Sequence, residues 1–307
     1  MKDTFSSLLV DLAFKESNVL VLSGDHGYDL FNQLRESRSN QFINMGVAEQ
    51  NMVGVAAGLA RVGFRPIVYG LSAFVPIRVL EQIKLDVCHD GLPVIFVGDG
   101  AGFVYSQLGT SHQSTEDIAA TRSIPGLIIL SPGDRFEFER CFTLAYQAKL
   151  PVYLRLGKAD RGDVHSKALT FNFGDLIELK KSTSENRKVA LIATGSMLKM
   201  ATMICNHFPE LGLLSAPCLK PLNEIQVIEL SKNNDLLITL EEHSIMGGLG
   251  SSIAEISSRV SHARLERLGV LDQFSKHCGS YEYLLKEHQL DFPALIEKVS
   301  SLLSSLK

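Results

Sequence analysis

Short apolar runs that alternate with helical patterns constrain the fold of this chain more than any other feature. The runs are rich in Val, Ile and Leu and are too short for helices; they cover 18–23, 65–69, 92–97, 127–130, 152–156, 189–193 and 235–240. Helical spacing of apolar residues is found over 4–14, 49–61, 78–89, 136–148 and 292–307, and Gly247–Gly250 precedes another helix. Strands that alternate with helices predict α/β domains with mainly parallel sheets.

The alternation is interrupted between residues 161 and 187, where polar and turn-forming residues predominate. A chain of 307 residues also exceeds the usual size of one domain. We therefore predict a doubly wound domain over 1–160, a connector over 161–187 and a second doubly wound domain over 188–307.

Composition excludes several classes of protein. A net charge of −4 argues against a dedicated nucleic-acid or anionic-membrane surface. No apolar run reaches the length of a membrane span, and Asp3 and Asp11 do not fit a signal peptide. The five cysteines form no Cys-x-x-Cys pair, so we expect reduced thiols and a cytoplasmic protein.

The turn Gly98–Asp99–Gly100 is similar to the metal-binding motif of thiamine-diphosphate enzymes. In that motif, the Asp and an Asn about 25–30 residues later hold the metal through oxygen ligands. The corresponding window, 127–132, contains no Asn, and the next Asn is Asn172. We therefore interpret the motif as a turn at the end of a strand and expect no metal ligands in this chain.

The segment Asn44–Asn51 is more informative, because Glu49 precedes a helix rich in Gly and Ala. A lone Glu at a helix N-terminus is usually a solvated capping residue. The small residues that follow, among them Ala56 and Ala57, indicate close packing instead. We expect a buried Glu49 that could remain protonated.

Residues 44–60 resemble the aminopyrimidine-domain motif of the transketolase family. The resemblance covers nearly the whole chain in family order, through 74–82, 110–113, 116–118, 122–125, 151–155, 193–196, 220–222, 241–243, 247–250 and 268–274. It begins at the family's second domain and lacks the N-terminal diphosphate-binding domain. The resemblance therefore implies the C-terminal subunit of a split, two-subunit transketolase.

The resemblance implies cofactor-binding roles for four residues. Glu49 matches the catalytic glutamate, which donates a hydrogen bond to a pyrimidine nitrogen of thiamine diphosphate. Phe74 matches the aromatic residue that stacks on the pyrimidine, and Leu71 stands where many relatives carry another Phe. Asp25 matches an acid that approaches the cofactor at the ligand edge of the sheet.

The resemblance also implies a substrate site. His112 matches a catalytic histidine near the substrate oxygen, where it can transfer protons. Arg155 and Lys158 lie near the position of the family's substrate-phosphate arginine. Leu108 stands where the family often has an Asp that contacts a donor hydroxyl.

Two further departures concern phosphate. Gly100 and Asp29 stand where relatives carry a phosphate-contacting His and Ser. An acid in place of a serine would repel a phosphate. With Leu108, these departures predict that ordinary sugar phosphates are poor substrates.

The family membership would make this chain part of an enzyme that transfers a two-carbon ketol unit from a ketose to an aldose. The cofactor would be thiamine diphosphate, with Mg²⁺ or Ca²⁺ held by an N-terminal diphosphate-binding partner subunit in an α2β2 assembly. Three alternatives stay open: the β subunit of a 2-oxoacid dehydrogenase, an activity like that of 1-deoxyxylulose-phosphate synthase, and a non-catalytic regulatory subunit.

Overall fold

The structure is a computed structural model that describes residues 1–27, 29–158, 161–184, 187–260 and 263–306. Its strands are β1 (Val19–Ser23), β2 (Phe42–Asn44), β3 (Arg65–Leu71), β4 (Ile95–Asp99), β5 (Ile128–Leu130), β6 (Val152–Leu156), β7 (Ile177–Lys180), β8 (Val189–Ala193), β9 (Gly212–Ser215), β10 (Cys218–Lys220), β11 (Leu236–Ser244) and β12 (Arg264–Val270). Its α-helices are α1 (Lys2–Lys15), α2 (Asn32–Ser37), α3 (Glu49–Arg61), α4 (Leu80–Gln82), α5 (Asp117–Arg122), α6 (Arg135–Gln147), α7 (Met197–His207), α8 (Glu224–Asn233), α9 (Leu249–Ser257), α10 (Tyr281–Glu287) and α11 (Phe292–Ser305).

The first sheet has seven strands in the order β10-β5-β6-β4-β3-β1-β2, and the second has five in the order β12-β11-β8-β9-β7. Every residue of β1, β4, β6 and β8 is buried. A parallel strand covered on both faces needs apolar side chains on both sides, which explains the uninterrupted apolar runs in the sequence. The predicted α/β fold with mainly parallel sheets is confirmed.

The first sheet takes one strand from the second half of the chain. Strand β10 pairs antiparallel with β5, with Cys218 opposite Leu130. The two sheets are therefore joined by more than the connector. A three-residue strand with a distant partner leaves no periodic signal, so the sequence pattern did not predict it.

The connector predicted over 161–187 contains a strand. Strand β7 pairs antiparallel with β9, with Ile177 opposite Ser215, and forms the edge of the second sheet. None of its four residues is fully buried, which explains the absence of an apolar run. Residues 185 and 186 of the predicted connector lie outside the described residues.

The helix predicted over 78–89 has an irregular geometry. A 3-10 turn (Ile77–Val79) leads into α4 and then into a π-helix (Ile83–Cys88). Such segments are frequent near functional sites. The helix predicted over 292–307 ends at Ser305, and Lys307 lies outside the described residues. In the described ranges, no helix has the length and apolar character that crossing a membrane requires.

A buried ion pair lies where the two sheets meet. Arg155 on β6 is 1% exposed, and its Nε donates to Oδ2 of Asp117 at 2.8 Å. The Tyr153 hydroxyl donates to the same oxygen at 2.6 Å. Nη2 of Arg155 donates to the backbone oxygens of Ser114 at 3.3 Å and Glu242 at 3.2 Å. Arg155 thus links β6, the loop after β4 and strand β11.

Replacing Arg155 with Met should lower the free energy of unfolding by about 3–5 kcal/mol, because it leaves the buried Asp117 carboxylate without its cation. Urea denaturation measures this loss. A second change, Asp117→Leu, should recover part of the stability. Arg61→Ala, which removes an exposed ion pair with Asp90, is the control and should leave the urea midpoint unchanged. An equal, small effect of both arginine variants would contradict the structural role of Arg155.

Candidate active site

The residues predicted for the site meet at one edge of the first sheet. Strands β1, β3 and β4 are parallel neighbours and end at the same edge, with Leu71 opposite Asp99 in register. Asp25 follows β1, Phe74 follows β3, and the loop after β4 carries His112. Carboxyl ends of parallel strands form the usual ligand edge of an α/β sheet.

Glu49 is the first residue of α3 and is 8% exposed. Its two carboxylate oxygens accept from Nη1 of Arg78 at 3.2 and 3.1 Å. A Cβ on Gly24, at the end of β1, would lie 3.7 Å from Cγ of Glu49, so the helix N-terminus packs closely on this strand end. The structure agrees with the predicted burial, but the sequence analysis missed the cation beside the carboxyl.

Arg78 joins Glu49 to the aromatic residue of the site. Its Cζ lies 4.0 Å from the centroid of the Phe74 ring, a cation–π distance. The Phe74 ring meets the imidazole of His112 edge to face, with centroids 5.3 Å apart. Leu71 accepts a backbone hydrogen bond from Phe74 at 2.8 Å and is half-buried in the same turn. A carboxyl, an aromatic face and an imidazole are therefore in one place.

Asp25 is held in an uncommon backbone conformation, with φ of 60°. Its Oδ1 accepts from Nδ2 of Asn44 at 3.2 Å. The Ser23 hydroxyl donates to the backbone oxygen of His26 at 2.6 Å and closes the turn. Strained backbone of this kind is frequent at functional sites.

A second polar cluster, which no pattern in the sequence predicted, lies at the same edge. Asp99 is fully buried, and its Oδ2 accepts from Nζ of Lys2 at 2.9 Å and from the Tyr105 hydroxyl at 2.7 Å, with Nε2 of His26 at 3.3 Å. Burial would raise the pKa of Asp99, but the contacts with His26, Lys2 and Tyr105 outweigh it and lower the pKa to about 2. A cavity of about 420 Å³ borders this cluster and Asp29. The one signal in the sequence was the acid in the Gly-Asp-Gly turn.

Gly100 has room only for a hydrogen atom at its side-chain position. Its φ is 75°, and a Cβ there would overlap the ring of Tyr105. The Tyr105 ring therefore fills the space into which a side chain at this position would extend. Any larger residue at position 100 would therefore require the Tyr105 ring to move.

Gly100→Ala should destabilise the chain by about 1–3 kcal/mol, through backbone strain and overlap with Tyr105. Gly46→Ala is a matched control, since φ is 68° there and a Cβ would meet no atom within 4 Å. Thermal unfolding should show the larger loss for Gly100→Ala. In a Tyr105→Ala background, the loss caused by Gly100→Ala should shrink to that of the Gly46 variant; if it stays large, ring overlap is not the cause.

The predicted substrate residues have different environments. Leu108 is 56% exposed in the loop that carries His112. Lys158 follows β6, with its Nζ 5.6 Å from the centroid of the Tyr281 ring. The buried contacts of Arg155 leave no surface for a substrate, so its predicted phosphate contact is not supported. Its burial depends on Asp117, far away in sequence, which a local pattern does not reveal.

Throughout the ranges that the structure describes, no group of three or more His, Cys, Asp and Glu side chains could hold a metal ion.

The fold and the site define an α/β chain of two linked sheets with a carboxyl, an aromatic ring and an imidazole at one sheet edge. Residues 1–162 match the transketolase pyrimidine-binding domain, and residues 180–294 match the transketolase C-terminal domain. The chain belongs to the transketolase family, as its resemblance predicted.

Several relatives are subunits of split enzymes. The chain is 32% identical over 298 residues to a 6-deoxy-6-sulfo-D-fructose transketolase subunit SqwH from Clostridium sp. (strain MSTE9), which covers 94% of this chain and 90% of the relative. It is 32% identical to a putative transketolase C-terminal section from Methanocaldococcus jannaschii, over 97% of this chain and 95% of the relative. A solved split-gene transketolase, described as an inactive β4 tetramer, superposes with a TM-score of 0.86 at 28% identity, covering 98% of this chain and 97% of the other.

Another relative is a longer enzyme. The chain is 33% identical to a 1-deoxy-D-xylulose-5-phosphate synthase from Natranaerobius thermophilus over 96% of its own length. It spans about half, 47%, of the length of that synthase.

Proposed function

We propose that this chain is the C-terminal subunit of a thiamine-diphosphate-dependent, transketolase-like enzyme. With a separate diphosphate-binding subunit, it transfers a two-carbon ketol unit from a ketose donor to an aldose acceptor. The observation that carries the proposal is the convergence of Glu49, Phe74 and His112 at one sheet edge. The near-complete coverage of split transketolase subunits supports the two-subunit form.

The donor set at this edge fits the pyrimidine half of the cofactor. Glu49 offers a largely buried carboxyl to a ring nitrogen, and Phe74 offers an aromatic face. Thiamine diphosphate, when bound, supplies the carbon nucleophile of the reaction. In this proposal Arg78 gives up its place at the Glu49 carboxyl to the ring, and Glu49 then holds a proton toward the ring nitrogen.

His112 and Asp25 take the remaining proposed roles. His112 moves a proton to or from the substrate oxygen, for which an imidazole is suited near neutral pH. Its position against Phe74 supports this role, because a ring stacked on Phe74 would lie beside the imidazole. Asp25, with Leu71 in the adjoining turn, borders the cofactor ring.

We further infer that the partner subunit holds the diphosphate and its Mg²⁺ or Ca²⁺. Asp99 of the Gly-Asp-Gly turn is already bonded to Lys2, Tyr105 and His26, which supports a structural role for it. An α2β2 assembly is consistent with the self-association of the split-gene relative. The five cysteines are free thiols, which supports a cytoplasmic location.

The substrates are proposed to be sugars other than the ordinary pentose phosphates. The cavity beside Asp99 is also lined by Asp3 and Asp29, whereas its cation-capable side chains, Lys2 and His26, are paired with Asp99. A phosphate there would meet carboxylates, and Leu108 offers no hydrogen bond. Lys158 is the remaining proposed substrate contact. The split-subunit relative from Clostridium is likewise named for an uncommon sugar, 6-deoxy-6-sulfo-D-fructose.

One alternative keeps a specific support. The 1-deoxyxylulose-phosphate synthase relative is as similar in sequence as the split subunits, which favours a related acyl transfer as the second candidate. A substrate assay of the complex with the partner subunit distinguishes the dehydrogenase and regulatory alternatives from the proposed function.

Calorimetry should detect no tight, Mg²⁺-dependent binding of thiamine diphosphate by the isolated chain, because the diphosphate site lies on the partner. The complex with a diphosphate-binding subunit should bind it and transfer a ketol unit when supplied with a panel of phosphorylated and unphosphorylated ketoses and aldoses. Micromolar binding by the chain alone would contradict the split site.

In the substrate assay, turnover of pyruvate instead of ketoses would favour the acyl-transfer or dehydrogenase alternative. Turnover of xylulose 5-phosphate with a kcat/KM of about 10⁴ M⁻¹s⁻¹ or more would contradict the proposed substrates.

In the complex, Glu49→Gln should lower kcat by about 10²-fold or more, since it removes a positioned acid–base group. Steady-state kinetics measure the loss, and thermal unfolding should show that assembly persists. Glu297→Gln, at an exposed position on α11, is the control and should keep full activity. Near-normal turnover of Glu49→Gln would refute the assigned role.

A further inference from the structure

The loop that carries His112 has little regular structure of its own. Its base is closed by two hydrogen bonds, from Gly102 N to Ser114 O at 2.8 Å and from Ser114 N to Gly102 O at 3.0 Å. Between these residues lie two short 3-10 turns, Ser106–Leu108 and Thr110–His112. The position of the imidazole therefore depends on the surface against which the loop packs.

Part of that surface belongs to the second half of the chain, where His288 contacts the first end of the loop directly and the second end through Ser275. At the first end, the imidazole of His288 stacks on the ring of Phe103, with centroids 4.7 Å apart and planes inclined by 24°. At the second end, Nε2 of His288 is 2.9 Å from Oγ of Ser275, and Oγ of Ser275 donates to Oε1 of Gln113 at 2.8 Å. Gln113 directly follows His112.

The available protons give this chain of hydrogen bonds a direction. The Ser275 hydroxyl has one proton, which it donates to the amide oxygen of Gln113, an acceptor. Nε2 of His288 must then carry the proton that it donates to Oγ of Ser275. His288 is 3% exposed, and burial lowers its pKa, which favours the neutral ring.

We infer that His288 and Ser275 are positioning residues that hold the loop over 103–113 so that His112 meets the substrate. The inference rests on the proposed function of His112. Neither residue lies in the strand-edge cluster of Glu49 and Phe74, and neither touches the reacting groups. A displacement of about 1 Å at a catalytic group can lower a rate by about 10²-fold, so a contact at the neighbouring Gln113 is close enough to matter.

The test uses the complex of this chain with the diphosphate-binding subunit, thiamine diphosphate and Mg²⁺. Ser275→Ala breaks the hydrogen-bond chain and should lower kcat by about 10-fold or more. The cofactor Kd should stay unchanged, because Glu49 and Phe74 lie on other segments. Ser275→Thr restores the hydroxyl and should restore kcat.

Two further variants separate the two contacts of His288. His288→Phe keeps a ring against Phe103 but removes the donor to Ser275, and it should lower kcat like Ser275→Ala. His277→Phe, at an exposed histidine of the same segment, is the matched control and should behave as the wild type. Amide hydrogen exchange of residues 103–113 should be faster in Ser275→Ala and His288→Phe and unchanged in the control.

The outcomes distinguish this inference from the proposed function. If the wild-type complex transfers ketol units and Ser275→Ala matches it in kcat and in hydrogen exchange, the inference is overturned and the function stands. Failure of Ser275→Thr to restore kcat, or a parallel loss of melting temperature and cofactor binding in Ser275→Ala, also overturns it in favour of a general structural role. A wild-type complex with no ketol transfer on any sugar overturns both.

Discussion

The contact between the guanidinium of Arg155 and the carboxylate of Asp117 is the interaction on which the rest of the site depends. It is fully buried, and the same guanidinium bonds the backbone at Ser114 and Glu242. A buried ion pair adds little net stability, because removing two charges from water nearly offsets their attraction. Its effect lies in geometry, since the guanidinium bonds three segments at once and so holds them at fixed positions relative to one another. The end of the His112 loop is thereby fixed against the second sheet.

Strand β11 also links separate segments of the chain. Its successive side chains point to opposite faces of the sheet, so neighbouring residues contact different segments. Glu241 accepts from the first amides of α9, at Leu249 N (2.7 Å) and Gly250 N (3.1 Å), where a helix N-terminus favours a negative charge. Glu242 accepts from Phe103 N at 2.8 Å and from the hydroxyls of Ser196 and Tyr281. A side chain at Gly102 would overlap the Glu242 carboxyl, so the glycine permits the close approach of loop and strand. The Glu-Glu-His motif, which served only as a mark of resemblance in the sequence, thus organises the interface between the sheets.

The parts of the fold that could be predicted are those with a local cause. Central parallel strands must be apolar on both faces, and the limits of α3, β6 and β8 followed directly from the sequence. Strands β7 and β10 were missed because each is short, lies at an edge and pairs antiparallel with a distant segment. The same holds for the site. The stretches that contain Glu49 and Phe74 are each contiguous enough to recognise, whereas the environments of Arg155 and Asp99 depend on partners that only the folded chain brings together. The local sequence around a charged residue at a strand end is the same whether that residue faces a substrate or a buried acid.

Under the proposed function, the pair formed by Glu49 and Arg78 would let the separate subunit be stable and still accept a ligand. The Arg78 side chain is 46% exposed and that of Glu49 10%, so the contact is closer to a surface ion pair than to the buried pair of Arg155. Surface pairs contribute about 0–1 kcal/mol, and exchanging Arg78 for a ring nitrogen therefore has a small cost. Until that exchange, Arg78 compensates the carboxyl and covers the face of Phe74, so neither group is left unpartnered in the separate subunit. A ring presented by a second subunit would replace both contacts at once, which couples assembly of the complex to completion of the site.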